Sequence, residues 1–233
     1  MQRFRVLPLS FNRHWRRNVT LSRRHLIAGF GTVALAGPGF IGGLRPAAAQ
    51  DANVAELHKA GPLGDKIIGA ENAPVTIVEY ASVTCGACAA FHTQTYPTLK
   101  SKYIDAGKVR LIMREFPTAP APVAIGGFML ARCANDKYFP LLEAIFEQQR
   151  SWSQDPYNGF LRIARQAGFT QESFDACLKD SKVAEQIQQV AERGNVEFKV
   201  ESTPTFFING KKYVGVLSVA ELEKILEPLL KSS

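Results

Sequence analysis

Cys85-Gly86-Ala87-Cys88 is the stretch of this 233-residue chain best equipped to do chemistry. Thiol–disulfide exchange needs an accessible sulfur that can carry negative charge and a second thiol to resolve the mixed disulfide. Two cysteines three positions apart supply both when the first begins a helix, where free backbone N–H groups and the macrodipole favour an anion. Cysteines so placed ionise at roughly pH 3.5 to 7.5 instead of about 8.5. The competing readings are a structural bridge and half of a metal site. A bridge rarely stands between a buried strand and a helix start, and a metal site lacks two further ligands at short spacing.

The flanking residues give the pair that position. Val75–Ala81 is a short apolar run rich in β-branched and aromatic residues and reads as a buried strand. A helical pattern runs from Ala89 to Ala106, with a kink expected near Thr93–Tyr96 because of Pro97. Val109–Phe116 reads as a second strand, parallel to the first because a helix joins them. Lys66–Ile68 reads as a short edge strand. From about Ala121 to Asn195 the pattern is wholly helical, and strands return at Thr205–Ile208 and Lys211–Val214 around an Asn209-Gly210 hairpin turn. A last helix opens on the capping box Ser218-x-x-Glu221. The order is β-α-β, a helical insertion, then β-β-α.

Composition suits a globular chain, at 46% hydrophobic and 21% charged, long enough for one large domain. The net charge of +7 is not a nucleic-acid signal. Residues 1–50 hold 8 of the 28 Lys and Arg and none of the 21 Asp and Glu, which leaves 20 basic against 21 acidic groups in the rest. Residues 1–49 read as a cleaved export signal: a basic start, an uncharged Leu26–Leu44 segment, and a small-x-small ending at Ala49. Ser22-Arg23-Arg24-His25-Leu26-Ile27 is similar to the twin-arginine signal, departing from it at Leu26 and Ala28. An ordinary export signal or a membrane anchor is the alternative; six glycines and Pro38 weaken the anchor. Residues 50–61 read as an N-terminal arm. On this reading the domain is exported to the periplasm, an oxidising compartment.

With these elements in place, residues 62–231 resemble the DsbA-like family of exported thiol:disulfide oxidoreductases. The likeness rests on Cys85 and Cys88, on Glu79 six residues earlier, on Thr203-Pro204 just before a strand, and on the insertion at about 120–196. The resemblance implies a thioredoxin fold of the α/β class, with an all-helical domain between its β-α-β and β-β-α halves. It implies that Cys85 and Cys88 are the redox pair and that Glu79 accepts the Cys88 proton. It also implies that Thr203 and a cis Pro204 face the sulfurs, block metal binding and offer backbone to a substrate peptide. Neither a metal nor a cofactor is expected. Gly86-Ala87 departs from the Pro-His of the best-known strong oxidants, and Thr203 resembles the isomerase branch.

Cys133 and Cys177 fall on helices of the insertion, where some DsbA-like relatives carry a second bridge. The resemblance and the oxidising compartment favour a bridge there over two buried free thiols. His92, four residues after Cys88, reads as a packing or partly exposed residue. Trp152 and Tyr157 read as core or rim. The function expected is donation of disulfides to unfolded or partly folded exported proteins, with a membrane partner recycling the pair and no nucleic acid involved. The alternatives are an isomerase, a dedicated reductase, or a redox-inert chaperone or scaffold.

Overall fold

The computed structural model describes residues 53–231. The leader and the first residues of the arm lie outside the described residues. Within them, a five-stranded sheet has the order β1-β3-β2-β4-β5, formed by β1 (Lys66–Ile68), β2 (Val75–Ala81), β3 (Val109–Glu115), β4 (Thr205–Ile208) and β5 (Lys211–Val214). The pair β2 and β3 is parallel, and β1, β4 and β5 join antiparallel. A short α1 (Val54–Leu57) precedes the sheet.

All seven residues of β2 are buried, as expected for a central strand covered on both faces. Period-two alternation sorts them. Val75 and Ile77 pack with Phe91, Leu99, Phe206 and Leu226, while Val78 and Tyr80 pack with Leu57, Phe198 and Phe207. The first face is covered by α2 (Gly86–Gln94), α3 (Tyr96–Leu99) and the C-terminal α10 (Val219–Lys231). The predicted kink at Pro97 takes the form of a break at Thr95. Pro97 sits in the first turn of α3, and a single π-helical stretch, Lys100–Ile104, follows. Proline tolerates a helix start because it has no N–H to leave unpaired.

The insertion comprises α4 (Ala121–Cys133), α5 (Tyr138–Glu147), α6 (Gln149–Trp152), α7 (Pro156–Gln166), α8 (Gln171–Leu178) and α9 (Ser181–Phe198). Asp155, Thr170 and Asp180 cap the last three through side-chain oxygens. Its core is continuous with the sheet: Ala81, Val83, Cys88 and Met113 share one apolar cluster with Phe128, Tyr138, Phe146 and Trp152. The end of α9 lies against the sheet itself. There a Cβ on Gly194 would stand 2.5 Å from the Tyr80 ring, so only glycine allows this approach. Asn209 (φ 45°) and Gly210 (φ 87°) form the β4–β5 turn with two left-handed residues.

Candidate active site

Cys85 is the N-cap of α2, with extended backbone (φ −83°, ψ 119°). Its sulfur is half-buried, and Cys88 one turn inside is fully buried. The approach loop is held from two sides. The Ser82 hydroxyl oxygen accepts the Thr118 N–H at 3.0 Å, and the Thr84 hydroxyl donates to the Thr118 carbonyl at 3.1 Å. From the insertion, Gln149 Nε2 donates to the carbonyls of Val83 (2.7 Å) and Cys85 (3.0 Å). These bonds fix the backbone on which the reactive sulfur rides.

The two thiols are pushed apart in acidity. Cys85 is lowered to about 5, first by a hydrogen bond from the Cys88 thiol, then by Thr203 and by the backbone N–H groups of Cys88 and Ala87, against some desolvation. Cys88 is raised far above the ordinary range, first by burial and then by the charge it faces at Cys85. The Glu79 carboxylate pushes it the same way. One sulfur is a thiolate at neutral pH and the other a thiol.

Thr203-Pro204 is a cis peptide, as the resemblance implied. While protonated, Cys85 Sγ donates to the Thr203 carbonyl at 3.2 Å, and Pro204 is tied to the far edge by the Gly215 N–H at 2.9 Å. A second cis bond, Ala119-Pro120, was not anticipated. Pro120 lines a cavity of ≈ 390 Å³ with Thr84 and Gly86, the two neighbours of Cys85 in the chain, and with Val123, Gln149 and Trp152. Neither Gln149 nor Pro120 carries a local signal for such a place. Gln149 is 64 residues from Cys85 and is brought in only by packing of the insertion.

Glu79 is wholly buried at the centre of the sheet, which excludes an exposed edge position. His92, expected as a packing residue, does pack: it is buried and stacked on Phe146 at 4.1 Å. The packing reading missed its partner, since His92 Nε2 lies 3.0 Å from Glu79 Oε1. Trp152 is buried in the insertion core and Tyr157 is exposed on its rim. Cys133 and Cys177 form a disulfide with Cα atoms 6.3 Å apart, bridging the ends of α4 and α8. No group of three or more His, Cys, Asp or Glu among the described residues could hold a metal ion.

The family model described as Thioredoxin matches residues 63–228, and the chain belongs to the thioredoxin family, in its DsbA-like branch. The structure resembles Wolbachia pipientis alpha-DsbA1, with a TM-score of 0.68, 29% identity, and coverage of 76% of this chain and 96% of that one. It shares its fold with oxidised BdbD from Bacillus subtilis, at TM-score 0.62 and 21% identity over 72% of this chain and 93% of that one. In sequence it is 33% identical over 150 residues to a Rickettsia bellii protein provisionally named a protein-disulfide oxidoreductase. That match covers 63% of this chain and 57% of the relative, so the chain spans little more than half the length of that curated relative. Disulfide bond formation protein D of Bacillus subtilis is 25% identical over 72% of this chain and 78% of its own.

Proposed function

We propose that this protein is an exported protein thiol:disulfide oxidoreductase that donates the Cys85–Cys88 disulfide to unfolded or partly folded exported proteins. The observation that carries the reading is the split between the two sulfurs, one lowered to about 5 and half-exposed, the other buried and raised. A substrate thiolate attacks Sγ of Cys85; the Cys85–Cys88 bond breaks and Cys88 leaves. The substrate's second thiolate then attacks its own mixed sulfur and expels Cys85 as a thiolate, leaving the substrate oxidised and the pair reduced. A low Cys85 pKa makes it a good leaving group and stabilises the reduced form, which favours donation. Glu79 serves as proton acceptor for Cys88 when the pair is reoxidised, and Thr203 and Pro204 present backbone to the substrate.

The layout that accompanies this function is a twin-arginine-like leader over 1–49, an arm over 50–61 and the catalytic domain over 62–231. The catalytic domain carries the insertion at about 120–196, and a membrane redox partner reoxidises the pair in the periplasm. No described helix is long and apolar enough to cross a membrane. The direction of exchange is tested by the equilibrium potential of the pair against glutathione. A value near about −120 mV, that of a strong oxidant, supports donation; one near about −270 mV, that of thioredoxin, makes the protein a reductase. A chain that exchanges no thiols at all is a scaffold.

A further inference from the structure

Between β2 and α2 lies a pair of titratable side chains that the exchange chemistry above uses only in half. Glu79 and His92 are both buried, and the Nε2–Oε1 contact of 3.0 Å is the bond between them. The other carboxylate oxygen, Glu79 Oε2, and the other ring nitrogen, His92 Nδ1, are buried without a hydrogen-bond partner. The ring cannot swing to find one. Phe146 stacks on it at 11° between planes, Tyr96 lies 5.0 Å from its centroid, and Phe91 meets it edge-on. The groups facing the pair are Cys88 and Tyr96 on the α2–α3 side, and Tyr138 and Glu143 from α5 with Lys100 beyond Glu143.

We propose that His92 is a positioning residue for proton transfer at Cys88, forming with Glu79 a couple that holds one mobile proton for that sulfur. The inference rests on the exchange function proposed above and deepens it. A bare carboxylate in this site is a buried charge with one neutral donor, which is costly. One added proton makes the couple neutral as a unit, as carboxylic acid with imidazole or as carboxylate with imidazolium, and the single Nε2–Oε1 contact serves either form. When a substrate thiolate attacks Cys85, the Cys85–Cys88 bond breaks, the substrate sulfur is oxidised and the Cys88 sulfur is reduced. The proton moves from the couple to the departing Cys88 thiolate, leaving carboxylate and neutral imidazole. In the reverse step Cys88 returns the proton as its sulfur attacks the mixed disulfide. Glu79 alone could accept that proton. His92 holds the carboxylate in place and spreads the charge that remains.

The test uses the full chain with a glutathione mixed disulfide on Cys85, from which Cys88 releases glutathione; release is followed by stopped flow across pH. His92→Phe keeps a ring on Phe146 and removes Nε2, while His92→Gln keeps a donor for Glu79. The expected result is a loss of roughly tenfold in the release rate at neutral pH for His92→Phe, at the modest end for acid–base groups because Glu79 remains. The pH profile should shift, with recovery in His92→Gln and no further loss when His92→Phe is added to Glu79→Gln. Thiolate absorbance of Cys85 should titrate as in the wild type. An unshifted profile in His92→Phe, or fully multiplicative losses in the double variant, overturns the proposal. If neither variant folds, ¹⁵N shifts of the His92 ring in the wild type decide: they must differ between oxidised and reduced protein, and identical shifts overturn it. If the wild type never forms the mixed disulfide, the exchange function itself has failed, and the result is read there.

Discussion

The two pairs of cysteines sit at opposite ends of helices. Cys85 precedes the first turn of α2, where unpaired N–H groups point at its sulfur. Cys133 is the last residue of α4 and Cys177 the last but one of α8, where the negative end of the macrodipole lies. The first environment stabilises a thiolate and the second opposes one. Burial does not separate them: each pair has one buried member, Cys88 or Cys177, and one partly buried member, Cys85 or Cys133. The same side chain is thus set toward exchange in one region and toward a lasting cross-link in the other, by backbone dipoles.

The sharpest way to break this comparison is to remove each pair in turn. Cys85→Ser should abolish oxidative refolding of a reduced model substrate, whereas Cys133→Ser with Cys177→Ser should leave its rate nearly unchanged. A folded double variant that also lost exchange would end the distinction. That double variant should instead lose stability, by about 4 kcal/mol for a loop of this length in the chain-entropy model, read from denaturant unfolding.

Acidity separates the pairs further. Alkylation of the reduced protein should follow the Cys85 thiolate with a midpoint near pH 5, and Cys88 should stay unmodified in the folded state. Stability has a matching signature. From about pH 5 to about 8.5 the unfolded chain holds a Cys85 proton that the folded chain has released, so the contribution of Cys85 rises with pH and is lost as pH falls through 5. Above about 8.5 the folded chain keeps the Cys88 proton that the unfolded chain loses, so that contribution falls. Unfolding of reduced protein across pH, against the Cys85→Ser variant, checks both signs.

The smaller effects concern support. Gln149→Ala removes two hydrogen bonds to the Cys85 loop and should cost about 1 to 2 kcal/mol of stability, with a slower reaction at Cys85. Thr203→Val deletes one of the donors to the Cys85 thiolate and should move its alkylation midpoint upward by less than about one unit, since the other donors remain. A midpoint unmoved in Thr203→Val would assign the shift to Cys88 and the backbone alone.

Local sequence was enough for much of this. The apolar run Val75–Ala81, the helical pattern after Cys88, the Asn209-Gly210 turn and the Ser218–Glu221 capping box each specify their element through short-range sterics and hydrogen bonding, and the structure has them at those places. The position of Cys85 at a helix start follows from the same local rules. What local rules cannot specify is which distant side chain meets which. Arg114 and Glu115 end a strand and are buried. Their ion pairs are with Asp65, 49 residues away, and with Arg132 on the first insertion helix. Gln149 reaches the Cys85 loop because α6 packs there, and His92 faces Glu79 because α2 lies across β2. Periodicity fixes the face a residue occupies, but burial makes a polar group seek a partner, and only the packing of whole elements decides which partner it finds.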